Sequence, residues 1–81
     1  MALESFGRRL KEAREFLNMT QKELSELAGT TEATISRYES EVHEPSRNTI
    51  ELLAAILGVN PAWLLGAPVD QWPESTEKKE A

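Results

Sequence analysis

The chain has no cysteine, so neither a disulfide framework nor thiolate chemistry is open to it. It has a single histidine, His43, no glycine-rich phosphate loop and no His/Glu pair at metal-ligand spacing. Those absences remove the usual constellations for metal-assisted, nucleophilic and phosphoryl-transfer catalysis, so the expectation is a non-enzyme with no cofactor and no metal. A lone histidine in a polar stretch is an exposed side chain rather than a metal site. No stretch approaches the ~18 apolar residues needed to cross a bilayer, and no charged segment is followed by an apolar run near the start. A reducing, cytoplasmic setting is the expected location. Internal repeats are absent too.

Positive charge is also scarce. Nine Lys and Arg face fourteen Asp and Glu, a net charge of −5, with a pI near 4.8. That balance argues against indiscriminate binding to nucleic acid. Residues 70–81 account for −2 of it through Asp70, Glu74, Glu77 and Glu80 against Lys78 and Lys79, which leaves −3 on the remainder. Any surface for a polyanion must therefore be local, with helix N-termini adding to the few cations.

Within 81 residues, 40% of them hydrophobic, there is enough apolar material for one small core and no more. The strongest local pattern runs from Thr20 to Glu39, TQKELSELAGTTEATISRYE. Thr20 with Glu23 forms a capping box, and Met19 with Leu24 is placed as a hydrophobic staple. Leu24, Leu27 and Ala28 fall on one face at helical spacing. Gly29 stops the helix in a left-handed turn. Thr30 or Thr31 caps a second helix, in which Ile35 and Tyr38 point inward while Glu32, Ala33, Ser36 and Arg37 remain outside. Ser25 is a small residue at the place where two helices must cross closely. Two short helices about a glycine turn make a helix-turn-helix.

The flanks complete an all-helical chain. Residues 5–17 carry a stripe of Phe6, Leu10, Ala13 and Leu17 with Phe16 beside it, Ser5 as N-cap, and the basic residues Arg8, Arg9, Lys11 and Arg14. Ser46 caps a fourth helix whose Ile50, Leu53, Ala54 and Leu57 recur at helical spacing with Ile56 alongside, and Gly58 ends it. Asn60 caps a short fifth helix with Pro61 at its first position, and Gly66 closes that one. Trp63, Leu64 and Leu65 crowd more apolar surface than so short a helix can bury on one side, which points to a contact with a second subunit. From Ala67 onward periodicity gives way to proline and charge. The expected organisation is a domain over residues 1–66 and an acidic tail or linker over 67–81, with Trp72 standing out among its polar neighbours.

Five stretches together carry a family resemblance: Phe6-Gly7-Arg8-Arg9-Leu10, Met19-Thr20-Gln21-Lys22-Glu23-Leu24, Thr34-Ile35-Ser36-Arg37-Tyr38-Glu39, Pro45-Ser46 and Leu53 to Val59. In order and spacing they resemble the Xre/Cro-type helix-turn-helix family, which includes the lambdoid phage repressors, from about Phe6 to Leu65. The resemblance implies a compact all-α, five-helix, lambda-repressor-like DNA-binding domain. It implies a structural ion pair between Arg14 and Glu39, and a dimer region that includes Trp63, Leu64 and Leu65. Carried over position by position, the DNA-facing residues are Gln21, Thr31, Glu32, Ala33, Thr34, Ser36, Arg37, Ser40, Arg47 and Asn48. The expected partners are a double-stranded palindromic operator and a second copy of the chain, in the manner of a phage or prophage repressor. One stretch departs from the family: between Ser40 and Pro45, where a glycine and basic residues usually grip phosphate, this chain has Glu41, Val42, His43 and Glu44. That acidic loop, or the tail, suits a protein partner, so the competing expectation is an interaction module or antitoxin that keeps the fold with weak DNA binding.

Overall fold

The computed structural model describes residues 6–72. Ser5, expected to cap the first helix, and the part of the tail beyond Trp72 lie outside the described residues. Five helices follow in order: α1 Phe6–Phe16, α2 Gln21–Ala28, α3 Glu32–Glu39, α4 Arg47–Leu57 and α5 Pro61–Leu64. Among the described residues there is no strand, and no helix is long and apolar enough to cross a membrane.

Side chains near the start of each later helix decide where it begins. The Glu23 amide donates to Thr20 Oγ1 at 3.0 Å and the Thr20 amide to Glu23 Oε1 at 2.8 Å, which satisfies two of the backbone donors left over at a helix N-terminus. Thr31 takes the Thr34 amide, Ser46 the Thr49 amide and Asn60 the Ala62 amide in the same way. The ends are just as uniform. At the end of every helix a residue with positive φ donates to a carbonyl three residues back, and the next residue donates to one five back. This double bond satisfies the last free carbonyls. Gly29, Gly58 and Gly66 do this for α2, α4 and α5, whereas α1 and α3 end on Asn18 (φ 58°) and Glu41 (φ 63°).

The core is drawn from every helix: Phe6, Leu10 and Ala13 of α1, Leu24 of α2, Ile35 of α3, Ile50, Leu53, Ala54 and Leu57 of α4, and Trp63 and Leu64 of α5, with Val59 between the last two. Met19, Ala28, Tyr38, Ile56 and Leu65 pack around it. Three residues expected on inward stripes lie outside: Phe16, Leu17 and Leu27 are exposed. Leu17 has the phase of the α1 stripe but falls after the last helical residue, in the turn. In α2 the buried seam includes Leu24 and Ser25. At ~100° per residue, Leu27 sits on the flank of Leu24 away from Ser25.

Long-range contacts tie the start of α1 and residues 67–72 to this core. At the start of α1 the Gly7 amide donates to the Glu41 carboxylate at 2.8 Å, so a loop residue caps the first helix. Gly7 lies so close to the end of α3 that a Cβ there would run into the Glu39 carbonyl. At the other end, Arg9 donates through Nη1 to the carbonyls of Trp63 and Ala67 at 2.5 and 3.1 Å, and its guanidinium lies 4.9 Å from the centre of a Trp63 ring. The Asn60 amide donates to the Gln71 carbonyl at 2.7 Å, and Trp72 packs on Phe16 with ring centres 5.5 Å apart. Residues 67–72 therefore lie back along α1.

Gly7→Ala sets two effects against each other. Intrinsic helix propensity favours alanine by about 1 kcal/mol, yet the collision with Glu39 is expected to cost more, leaving a net loss of roughly 1–3 kcal/mol in urea unfolding. Trp72→Ala and Phe16→Ala are each expected to lower stability, with a coupling of about 0.5–1.5 kcal/mol between them. Additive effects in that double-mutant cycle would show that the two rings do not act together.

Candidate nucleic-acid interface

The helix-turn-helix is α2 packed against α3, and the small Ser25 lies in the buried seam of α2. That side chain gives its hydroxyl to the Lys22 carbonyl at 2.7 Å, so its polar atom is not left unpaired in the seam.

Beneath the motif lies a polar node that joins three helices. Arg14 of α1 meets Glu39, the last residue of α3, through two bonds: Nε to Oε2 at 2.6 Å and Nη2 to Oε1 at 3.0 Å. The two side chains are only 9% and 7% exposed. Arg14 Nη1 also donates to the Met19 carbonyl at 2.8 Å, where α1 turns into α2. Gln21, the first residue of α2, adds its Nε2 to Glu39 Oε1 at 3.0 Å. The bond to Glu39 raises the Arg14 pKa above its ordinary value, against the opposing pull of burial. A raised arginine stabilises the fold at every pH below its ordinary value and loses that contribution only as pH climbs through the raised one. On the arginine side the pair is therefore constant across working conditions.

Gln21 and Glu32, which begin the two helices of the motif, line one open cleft of about 530 Å³ together with Arg14 and Thr20. Two helix N-termini thus face one cleft, where their amides favour an anion and the carboxylates of Glu15 and Glu32, which share the lining, oppose one. On α3, Glu32, Ala33, Ser36 and Arg37 are all exposed. Among the described residues no ion pair engages Arg37 or Glu32. The other expected contacts have structural duties as well. Thr31 is the N-cap of α3, and its hydroxyl lies 2.9 Å from that of Thr34, which is half-buried. Ser40 gives its hydroxyl to the Ser36 carbonyl at 3.0 Å. Arg47 and Asn48 are exposed at the start of α4. Arg47 sits 3.6 Å from Glu51 in a solvent-exposed pair, an interaction worth about 0.3–0.5 kcal/mol that a phosphate can displace.

Two expectations need correction. Leu64 is fully buried and Trp63 is 8% exposed, so both are packed into this domain's own core, and their apolar surface does not by itself call for a second subunit. The fifth helix does not carry its apolar load alone, because Arg9 covers the Trp63 ring from α1 and residues 67–72 fold back beside it. Of the three expected dimer residues Leu65 keeps the most surface. Nor is the 41–44 loop uniformly free for a partner, since the Glu41 carboxylate is spent on the α1 N-terminus. Gly7, Arg9 and Glu41 are the structural residues that sequence reasoning did not assign. The local signals were a glycine in a helix and a glutamate in place of a stop glycine.

Comparison with known proteins agrees with this geometry. A family model described as Helix-turn-helix matches residues 10–64. The HTH-type transcriptional regulator PrtR of Pseudomonas aeruginosa PAO1 is 43% identical over 68 residues, covering 80% of this chain and 26% of that protein. The HTH-type transcriptional regulator ImmR of Bacillus subtilis 168 is 37% identical over 62 residues, covering 76% of this chain and 49% of that protein. The chain thus spans less than half the length of either curated relative. In three dimensions it is similar to the P22 c2 repressor protein in its crystal structure with the synthetic operator 9T. The TM-score is 0.72 at 28% identity, over 75% of this chain and 92% of that one.

Removing one partner of the node leaves a buried, uncompensated charge. Glu39→Ala is expected to destabilise the domain by about 3–5 kcal/mol, and Arg14→Met with Glu39→Met together by far less. Urea unfolding of the three proteins at neutral pH is the measurement.

Proposed function

Because the chain belongs to the helix-turn-helix family, we propose that it is a sequence-specific DNA-binding transcriptional regulator of the phage or prophage repressor kind. It acts in the cytoplasm and grips a palindromic operator as a homodimer. The observation that carries this reading is the outer face of α3: Glu32, Ala33, Ser36 and Arg37 stand exposed on a helix held from below by the buried Arg14–Glu39 pair. A rigid helix with a solvent-facing edge of short and polar side chains is what the major groove admits. The similarity to an operator-bound repressor supports the same reading.

In this arrangement α3 enters the major groove with its N-terminal residues at base edges, and α2 crosses the backbone. Arg37 donates to guanine, Ala33 meets a thymine methyl, and Glu32 accepts from a cytosine amino group. Thr34 and Ser36 are the next candidates. Gln21, Ser40, Arg47, Asn48 and the free amides at the start of α4 hold phosphates, with Thr31 serving chiefly as the cap. Glu32 repels phosphate wherever it lacks a donor, so it contributes selectivity rather than affinity. Few cations take part, and one domain offers few contacts. Two domains on half-sites about one helical turn apart, ~34 Å, supply the rest.

Selection from a random duplex pool at low salt, followed by salt titration of the winner, tests this directly. A palindrome with a shallow salt slope is expected, since few counterions are released. Failure to enrich any sequence would move the fold to the rival reading, a protein-interaction module or antitoxin. On the selected operator Arg37→Ala is expected to cost about 1–3 kcal/mol and to relax preference at one base pair. Unchanged affinity would take Arg37 out of the interface.

A further inference from the structure

The node beneath the motif contains a bond that neither the ion pair nor the core requires. Glu39 Oε1 already accepts from Arg14 Nη2 at 3.0 Å, and it accepts again from Gln21 Nε2 at 3.0 Å. An ionised carboxylate only accepts, so the Gln21 amide must turn its NH2 group, not its carbonyl, toward Glu39. The usual ambiguity of a glutamine amide is thereby removed. One N–H is used. What remains on Gln21 is its second N–H and its carbonyl oxygen, and the residue lines the cleft shared with Glu32. Gln21 is half-buried and begins α2, so its backbone is fixed by the capping box and its side chain by Glu39.

We propose that Glu39 is a positioning residue for DNA recognition, which holds one N–H of Gln21 and so presents the other to an acceptor on the DNA. This rests on the reading of the chain as a DNA-binding regulator. The acceptor is a phosphate oxygen or the edge of an outer base, both of which take a single N–H. Its physical basis is entropic: a glutamine otherwise loses rotamer freedom when it binds, and one already ordered in the free protein loses less. Because the same carboxylate is anchored by a bidentate arginine from α1, the orientation of Gln21 is set by three helices at once. Arg14 acts through Glu39 and does not itself reach the DNA.

The test separates positioning from stability. Arg14→Met with Glu39→Met keeps the site filled and apolar, a replacement that buried pairs commonly tolerate, while it removes the acceptor for Gln21. On the selected operator this folded variant is expected to bind about 3- to 10-fold more weakly, the size of one hydrogen bond. Adding Gln21→Ala to it should cause no further loss, although Gln21→Ala alone in the wild-type background weakens binding by a similar factor. Scanning the outer base pairs of the operator then tells base from phosphate, since loss confined to one base identity marks an edge contact and a uniform loss marks the backbone. Independent losses from the two sites would overturn the proposal, as would wild-type affinity in the Met pair. A second readout needs neither DNA nor a variant. In the free wild-type protein the Gln21 side-chain amide protons should exchange more slowly and resonate apart from those of an exposed glutamine, and exposed-type values would equally overturn it. If the wild-type chain selects no duplex while this amide signature is present, the DNA-binding reading falls and takes the recognition role of Glu39 with it. If the chain binds DNA and the amide is free, only the positioning role falls.

Discussion

The carboxylate of Glu39 is the point at which this small fold is held to one geometry. Burying an ion pair gains little net stability, because each charge gives up its water. The return is in direction. Arg14 presents a planar fork that fits a carboxylate along two parallel bonds, and the pair sits at the last residue of α3. That contact fixes how α3 lies on α1. Through the Met19 carbonyl and Gln21 the same two side chains also hold the start of α2. The twelve-residue apolar core supplies non-directional burial, and the node adds directional bonds between α1, the start of α2 and the end of α3.

Backbone closure adds a second constraint. Each helix ends on a positive-φ residue with the same pair of backbone bonds. For α3 that residue is Glu41, for which the left-handed conformation costs of order 1 kcal/mol. Its side chain offsets the strain by accepting the Gly7 amide, where a negative charge also suits the positive end of α1. Glycine in that place would relax the turn and take away the acceptor of the Gly7 amide. The acidic character of the loop thus has a partly structural cause, and one of its carboxylates is turned inward from any DNA backbone.

Charge bears on function in the same way. A chain of net charge −5 cannot attract DNA by its overall field. Under the proposed function, binding therefore depends on short-range features: two helix N-termini that face one cleft, an exposed Arg37, and the exposed Arg47 and Asn48 at the head of α4. An interface of that kind discriminates more than it attracts, and under the same proposal its precision depends on how rigidly the Arg14–Glu39 pair holds α3 and Gln21.

The sequence alone determined what is decided within a few residues. The caps at Thr20, Ser46 and Asn60, the stops at Gly29, Gly58 and Gly66, and the buried stripe of α4 are all local chemistry, since a side chain three residues away either reaches a free amide or does not. The exposure of Glu32, Ala33, Ser36 and Arg37 was legible for the same reason, being what remains of α3 once Ile35 is turned inward. Tertiary structure decided everything that depends on which surfaces meet. Trp63 and Leu64 looked too apolar for one helix and proved to be covered by Arg9 and by the returning segment, contacts that link residues more than fifty positions apart. Leu27 shared a stripe with Leu24 in periodicity, yet the packing buried the Ser25 side of α2 and left Leu27 exposed. Gly7 and Glu41 show no periodic signal at all. Their roles exist because α1 passes the end of α3 at a distance that only a hydrogen can fill, and no spacing along the chain encodes that distance.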